Sequence, residues 1–184
     1  NDGSKDKSYE VMQELAKKDS KIKLVNLSRN FGEHAATLAG LANCTGTVAV
    51  RKAADLQEPS EMILEMYDKY TEGNKVVIAV RSDRKEGIIQ KAFAGLYCLM
   101  MRKVALPNMP KGGFDTFMIS RQIIDILVLI GEKNCSITEQ ILWTGFDSAK
   151  VYYTRKKREI GKSGWIFSKK VKLAIDSLLS FSYF

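Results

Sequence analysis

One carboxylate, Asp55, stands between TVAV at 47–50, an apolar run typical of a strand, and EPSEMILEMYDKY at 58–70, a helix-like segment. If the chain between them is extended, positions 53, 55 and 57 point to one side, because side chains alternate along extended chains. Asp55 and Gln57 then offer oxygen ligands to one divalent ion, whereas Ala53 offers none. Taken alone, an acid in this position is more often a helix cap or a solvated charge.

The alternation of strands and helices along the chain predicts an α/β fold. Three apolar runs read as strands: IKLVNL at 22–27, TVAV, and KVVIAV at 75–80. Strands that alternate with helices imply right-handed crossovers and a mostly parallel sheet. In such sheets ligands bind beyond the carboxyl ends of the strands. Three loops qualify by this rule: NDGS at 1–4, KAADLQEP at 52–59 and RSDRKEG at 81–87.

Helical patterns fill the segments between these strands. Helices are predicted over 8–18, within 28–46, over 59–73 and over 87–107, the last broken at Pro107. A glycine-rich turn then precedes Asp115, and a further helix begins near Ser120, a natural N-cap. In the helix over 59–73, one side is apolar and Gly73 forms the C-cap; that side carries Met62, Ile63, Met66 and Tyr70.

Length and charge bound the class of protein. The chain has 184 residues, of which 45% are hydrophobic, which is enough to bury one core, so one domain is the default. Its formal net charge of +8 favours polyanionic partners, such as nucleic acid, phosphorylated substrates or an anionic bilayer surface. Nucleic acid is not expected, because the interleaved aromatic and basic motifs of common RNA-binding modules are missing.

Cysteine and histidine usage argues against other classes of site. The three cysteines, Cys44, Cys98 and Cys135, are odd in number and widely spaced, which suits reduced thiols rather than a disulfide framework or a zinc site. His34 is the single histidine, which excludes a multi-histidine metal site. The longest apolar run, ILVLI at 126–130, is far below the roughly 18 to 20 residues needed to cross a bilayer.

The C-terminal third is basic. YYTRKKREIGKSGW at 152–165 is punctuated by glycines, and SKKVKLAIDSLLSFSYF at 168–184 places lysines beside large apolar residues. Two interpretations of the last segment stay open. It is either a helix that lies in a membrane interface, with lysines toward anionic headgroups, or a helix that packs on the core.

Six motifs occur in a fixed order along the chain: NDGSKD, RNFGEHAATLAGL, ADLQEPSEMI, AVRSDR, GGFDTFMISR and REIGKSGW. Their order and spacing resemble family-2 glycosyltransferases of the GT-A fold, in particular the polyprenyl-phosphate hexosyltransferases that are similar to dolichol-phosphate mannose synthase. The resemblance covers nearly the whole chain. It implies a mostly parallel central sheet that is flanked by helices.

The resemblance assigns roles on the donor side. Asp2 would contact the base or ribose of the nucleotide. The Asp-X-Asp motif of the family falls on Ala53, Ala54 and Asp55, so its first acid is absent, and Gln57 occupies a further metal-binding position. The implied cofactor is a divalent cation, Mg²⁺ or Mn²⁺, held by Asp55, Gln57 and diphosphate oxygens.

The resemblance also assigns roles on the phosphate and acceptor sides. Asp115 would orient or deprotonate the attacking phosphate oxygen, and it joins Asp55 as a candidate catalytic residue. Gly164 stands where the family commonly has a Lys or Arg. The groups expected to bind phosphate are Arg81, Arg84, Arg158, Lys162 and Ser163, although loop arginines such as Arg81 and Arg84 are otherwise read as solvated charges.

The implied activity is inverting transfer of a hexose from a nucleotide-diphosphate sugar, UDP-glucose-like or GDP-mannose-like, to undecaprenyl or dolichyl phosphate. The implied location is the cytoplasmic face of a membrane, and a homo-oligomer stays open. A degenerate, non-catalytic binding module is the alternative, because Ala53 and Gly164 depart from the family pattern.

The resemblance further predicts how the chain is organised. Residues 1–165 are expected to form a partial catalytic domain that lacks a first strand and helix of the fold. Residues 166–184 are expected to form an amphipathic helix that leads to membrane-spanning segments outside this sequence. The chain opens on NDGSKD, a turn of the kind that follows a strand.

Overall fold

The structure is a computed structural model that describes residues 1–82, 88–104, 106–110, 113–132, 136–156 and 175–177. The chain divides into two compact units, Asn1–Thr45 and Gly46–Phe184. The candidate site residues that the structure describes lie in the second unit, apart from Asp2.

Two helices form the first unit: α1, Ser8–Lys18, and α2, Glu33–Asn43. Both confirm helices predicted from the sequence. Gly3 approaches the chain ahead of α2 so closely that a Cβ there would lie 2.6 Å from the backbone nitrogen of Asn30. Glycine at this position therefore lets the NDGS turn pack against the start of the α2 segment.

The strand predicted at 22–27 is wrong for the described part of the chain, where this segment belongs to no strand. Among the described residues, its strand-like backbone bonds are those to Asn1, whose terminal nitrogen donates to the Val25 carbonyl at 2.7 Å and whose carbonyl accepts from the Leu27 N–H at 3.0 Å. A strand needs a ladder of such bonds over several residues, and a single partner residue does not supply one.

The second unit contains a four-stranded sheet in the order β1-β3-β2-β4. The strands are β1, Val48–Arg51; β2, Val76–Arg81; β3, Thr116–Ser120; and β4, Ser148–Tyr153. β2 and β4 pair in parallel, whereas β3 pairs antiparallel with both β1 and β2. The predicted α/β class is confirmed. The sheet is mixed, because β3 runs against the other three strands and separates β1 from β2.

The sequence pattern did not predict β3, which was read as a turn that leads into a helix. All five of its residues are buried, so no apolar and polar alternation marks it. Helix α5, Arg121–Ile130, follows β3 directly with Ser120 as its N-cap residue, as predicted. A short buried strand that runs into a helix without a turn signal is difficult to separate from that helix by periodicity alone.

The remaining helices are α3, Met62–Thr71; α4, Ile88–Val104; and α6, Ile137–Trp143. The apolar side predicted for α3 is confirmed, because Met62 and Met66 are buried and Ile63 and Tyr70 pack beside them. Gly73 follows the end of α3 with a φ of 100°, a conformation that glycine adopts at little cost. α6 was not predicted from the sequence.

The core lies on both faces of the central strands. Toward α3, the sheet buries Val77, Ala79, Met118, Val151 and Tyr153 in one cluster with Met62 and Met66. The alternate residues of β2 and β3 are also buried: Val76, Ile78, Phe117 and Ile119. Burial on both faces fixes the register of β2 and β3, because a one-residue slip would exchange their two packing surfaces.

The predicted amphipathic segment, 166–184, lies outside the described residues apart from 175–177, which are helical. Within the described ranges, no helix is both long and apolar enough to cross a bilayer. The predicted boundary at residue 165 remains a prediction.

Candidate active site

The reversed direction of β3 brings four chain segments to one edge of the sheet. β1, β2 and β4 end at this edge, and β3 begins there. Arg81 is aligned with Tyr153, and Arg51 is aligned with Phe117. We call this the carboxyl edge. Loops that follow the ends of parallel strands are the usual location of binding sites in α/β folds.

Asp55 lies in a tight turn just beyond β1. Its Oδ1 accepts the Gln57 N–H at 3.2 Å. Leu56 between them has a φ of 56°, a conformation that non-glycine residues rarely adopt. α3 begins at Met62 with no side-chain cap, so Asp55 is not its helix cap. The turn directs Asp55 and Gln57 toward a shared partner.

Arg155, two residues beyond β4, is that partner. Its Nη2 donates to Asp55 Oδ2 at 3.4 Å and to Gln57 Oε1. The Gln57 backbone carbonyl accepts the Lys156 N–H, and Gln57 Nε2 donates to the Lys156 carbonyl, both at 3.0 Å. Gln57 is buried as a result. The turn after β1 is thus fastened to the segment after β4.

The Asp55 and Gln57 side chains have the donor set for one hard cation. Their two oxygens already converge on the same positively charged nitrogen of Arg155. Carboxylate and amide oxygens are ligands that Mg²⁺ and Mn²⁺ accept. Ala53 instead donates its backbone N–H to Glu58 Oε2 at 3.1 Å. Among the described residues, no three His, Cys, Asp or Glu side chains cluster as a metal site, so these two oxygens fit a divalent ion only as part of its ligand set.

Arg81 and Asp115 meet at the same edge. Arg81 Nη2 donates to Asp115 Oδ2 in an ion pair, and Arg81 Nε donates to the Tyr153 hydroxyl at 3.3 Å. Arg51 Nη1 donates to the Asp115 carbonyl at 2.7 Å. The Arg81 side chain is 16% exposed and that of Asp115 is 52% exposed. A partly buried guanidinium is therefore held in place by a carboxylate that reaches solvent.

Tyr153 links the two groups of residues. Burial raises the pKa of Tyr153, and the charges of Glu58 and Asp115 add to that increase, while the Arg81 hydrogen bond opposes it. Glu58 is in turn bonded to the Ala53 backbone beside Asp55. Tyr153 therefore stays a neutral hydroxyl at neutral pH. The charges of Glu58, Arg81 and Asp115 all act on it.

The structure brings together four of the predicted site residues at the carboxyl edge: Asp55, Gln57, Arg81 and Asp115. Asp2 belongs to the first unit, where its carboxylate accepts the N–H groups of Phe31 at 2.7 Å and Gly32 at 2.9 Å. The remaining predicted phosphate-binding residues lie outside the described part of the chain and stay predictions: Arg84, Arg158, Lys162 and Ser163.

Three residues at this edge were not identified from the sequence: Arg51, Tyr153 and Arg155. The segment SAKVYY, 148–153, was not recognised as a strand, although Ala149, Val151 and Tyr153 alternate toward the core. Recognition of β4 would have pointed to Arg155 through the rule that ligands bind beyond carboxyl ends.

Comparison with known proteins identifies the family of this chain. The model of the family described as glycosyl transferase family 2 matches residues 1–127. This match covers more than half of the chain. The chain belongs to glycosyl transferase family 2.

Individual relatives extend the similarity along the whole chain. An uncharacterized glycosyltransferase of Bacillus subtilis (strain 168), YkcC, is 35% identical over 184 residues, which are 100% of this chain and 57% of the relative. A bactoprenol glucosyl transferase of Shigella phage SfX is 31% identical over 185 residues, covering 100% of this chain and 61% of the phage protein. A prophage bactoprenol glucosyl transferase homolog of Escherichia coli (strain K12) is 31% identical and is 60% covered. The chain thus spans somewhat more than half the length of these relatives.

Proposed function

We propose that this chain is the catalytic part of an inverting glycosyltransferase that moves a hexose from a nucleotide-diphosphate sugar to a polyprenyl phosphate at the cytoplasmic face of a membrane. The observation that carries the proposal is the convergence of Asp55, Gln57, Arg81 and Asp115 at one edge of the sheet in a family-2 glycosyltransferase. Relatives named bactoprenol glucosyl transferase support the choice of a polyprenyl phosphate acceptor and a glucose donor.

The donor side must stabilise a leaving diphosphate. A divalent ion held by Asp55 and Gln57 would supply positive charge to the diphosphate as its bond to the sugar breaks. The Arg155 guanidinium donates to the same two side chains. Charge neutralisation at fixed positions lowers the barrier because the groups need little reorganisation when negative charge develops.

The acceptor side must position a phosphate oxygen. A phosphate monoester already carries negative charge near neutral pH, so orientation matters more than proton removal. Arg81 offers a guanidinium whose direction is fixed by Asp115 and Tyr153. We assign Arg81 to the phosphate and Asp115 to the orientation or deprotonation of the attacking oxygen.

A transfer assay with the purified protein tests the proposal. Labelled UDP-glucose and GDP-mannose are each supplied with undecaprenyl phosphate in detergent and Mg²⁺ or Mn²⁺, and lipid-linked sugar is extracted and counted. The proposal predicts label in the lipid fraction with one donor, and β-linked product from an α-linked donor. Absence of lipid-linked sugar with both donors and both ions, from folded protein, contradicts it.

A second function, a binding module without turnover, is favoured by one observation. Ala53 replaces the first acid of the motif, and Arg155 contacts both remaining candidate ligands. Such a module would bind the nucleotide without a contribution from metal. Calorimetric titration of UDP or GDP with and without Mn²⁺ separates the two functions, since metal-dependent affinity favours the transferase.

A further inference from the structure

The Arg155 guanidinium occupies the position that a metal ion bound by Asp55 and Gln57 would take. One guanidinium nitrogen, Nη2, is shared by the Asp55 carboxylate and the Gln57 side-chain oxygen. The ion pair is partly buried, with side-chain exposures of 32% for Arg155 and 18% for Asp55. Partial burial weakens the screening of charge by water, so the interaction is stronger than that of a fully exposed pair.

We propose that Arg155 is the resident cation of the Asp55 and Gln57 pair, and that a divalent ion binds there only by displacing its guanidinium. This inference rests on the proposed function, which assigns Asp55 and Gln57 as metal ligands. It assigns to Arg155 a regulatory role, in which the side chain sets how much metal the site takes up. The role follows from the loss of the first acid at Ala53, since two oxygens cannot serve both cations.

The physical argument is competition between like charges. A metal ion and a guanidinium that share the same oxygen atoms would stand within a few ångströms of each other and repel. The guanidinium is also incompletely bonded, because its Nε is buried without a hydrogen-bond partner among the described residues. Displacement of Arg155 therefore sacrifices two hydrogen bonds and lets the buried Nε reach water.

The turn itself does not depend on the Arg155 side chain. Gln57 is held by its bonds to the backbone of Lys156, and Asp55 by the Gln57 N–H. Removal of the guanidinium should leave the two oxygens in place. Arg155→Gln therefore frees the pair for metal, whereas Arg155→Lys keeps a cation beside it.

The test measures Mn²⁺ affinity of the purified protein without nucleotide, by electron paramagnetic resonance of free Mn²⁺. We expect Arg155→Gln to bind Mn²⁺ roughly three- to tenfold more tightly than wild type, in keeping with the strength of one partly buried charged hydrogen-bond pair. Arg155→Lys should stay within about twofold of wild type. Lys156→Gln is the matched control, because it removes one exposed positive charge from the neighbouring position without touching the pair. The Mn²⁺ affinity of Lys156→Gln should also stay within about twofold of that of wild type.

Wild-type protein supplies a second measurement that needs no variant to fold. The inference predicts that the Arg155 Nε–H resonance shifts as Mg²⁺ is titrated, with the midpoint given by Mg²⁺ binding. An unshifted resonance at saturating Mg²⁺ overturns the inference. So does an Arg155→Gln protein that binds Mn²⁺ no more tightly than Lys156→Gln, and so does an absence of Mn²⁺ binding in every variant.

The outcome is separable from that of the proposed function. Sugar transfer by wild type together with unchanged Mn²⁺ affinity in Arg155→Gln would keep the transferase and overturn the exchange. Tighter Mn²⁺ binding in Arg155→Gln without any sugar transfer would support the exchange and contradict the transferase.

Discussion

The Arg81 side chain is held in place by Asp115 and Tyr153. Asp115 accepts from its Nη2 and the Tyr153 hydroxyl accepts from its Nε. A guanidinium presents several donors in a rigid plane, whereas a lysine ammonium is a point charge on a flexible stem. The proposed acceptor phosphate would therefore meet a fixed fork of donors rather than a mobile cation.

Arg81→Lys should keep the charge and lose the fork. We expect kcat/KM for the polyprenyl phosphate to fall on the order of tenfold to a hundredfold, because one or two charged hydrogen bonds are lost or misdirected. Steady-state transfer assays at varied acceptor concentration measure the change. Arg121→Lys, which alters an arginine bonded to the Gly46 carbonyl at the start of α5, is the matched control. A kcat/KM of Arg81→Lys within twofold of the wild-type value would refute the assignment of Arg81 to the acceptor phosphate.

At the residue scale, the sequence predicts the candidate metal ligands better than the arginine that binds them. Asp55 and Gln57 were found because a carboxylate and an amide follow a recognisable strand at alternating positions. Arg155 was missed because it is one of many basic residues in 155–162, and nothing in composition distinguishes the cation that packs back on Asp55. Such pairs join residues far apart in sequence, so only the fold identifies them.

At the scale of elements, β3 holds the site together because it brings Asp115 between the ends of β1 and β2. Its residue Phe117 is fully buried and is aligned with Arg51 and Ile78 of the neighbouring strands. Loss of this side chain would open a cavity in the middle of the sheet.

Phe117→Ala should lower the free energy of unfolding by about 3 to 5 kcal/mol, the usual cost of a buried Phe to Ala change. Urea denaturation followed by circular dichroism measures it. Leu129→Ala on α5 is the control, because Leu129 is 87% exposed and should change stability by no more than about 0.5 kcal/mol. A loss below about 1 kcal/mol for Phe117→Ala would mean that β3 is not packed as described.

Helix α6 contributes a buried acid that the site does not use. Glu139 is 3% exposed, and the Tyr97 hydroxyl of α4 donates to it. Burial raises the pKa of Glu139, and its hydrogen bonds offset only part of the increase. The protonated form therefore stabilises the folded state; this stabilisation is complete below the ordinary carboxyl pKa and is lost as pH rises through the raised folded-state pKa.

Glu139→Gln should remove this pH dependence, because an amide does not titrate. Relative to wild type, the variant should gain stability steadily as pH is raised from about 4 to about 8. Urea unfolding at several pH values measures the difference. Glu65→Gln, at an exposed position on α3, should show no such trend. If the free energies of unfolding of wild type and Glu139→Gln differ by the same amount at every pH in this range, the raised pKa of Glu139 is contradicted.

The elements themselves were predictable where their patterns are complete. The apolar stripe of α3 and the runs that form β1 and β2 were recognised, whereas β3, β4 and α6 were missed. β3 is buried throughout, so no alternation marks it, and β4 is exposed at alternate positions and leads directly into a basic segment. The strand predicted at 22–27 failed for the opposite reason, because an apolar run alone does not provide a pairing partner.

At the scale of the whole molecule, the net positive charge gives the interaction with the longest range. The formal net charge is +8. Positive charge attracts anionic headgroups over about one Debye length, which is roughly 10 Å at 0.1 M salt and 3 Å at 1 M. The proposed acceptor is a lipid, so attraction to an anionic surface would bring the enzyme to its substrate.

Binding to vesicles should accordingly depend on salt and on lipid charge. In flotation assays, we expect the protein to float with phosphatidylglycerol vesicles. The bound fraction should fall severalfold as salt is raised from about 0.1 M to about 0.5 M. Neutral phosphatidylcholine vesicles provide the control. Equal flotation with both lipids at both salt concentrations would argue against an electrostatic contribution.

The central claim is that the carboxyl edge of this sheet is the catalytic site of a glycosyltransferase, with Asp55 at its donor side. The most direct measurement compares sugar transfer to undecaprenyl phosphate by wild type, Asp55→Asn and Asp125→Asn, an exposed acid on α5. Asp55→Asn is predicted to lower kcat on the order of a hundredfold or more, the usual cost of one charge-stabilising group, while Asp125→Asn stays within about twofold. An Asp55→Asn enzyme that transfers sugar as fast as Asp125→Asn would contradict the claim.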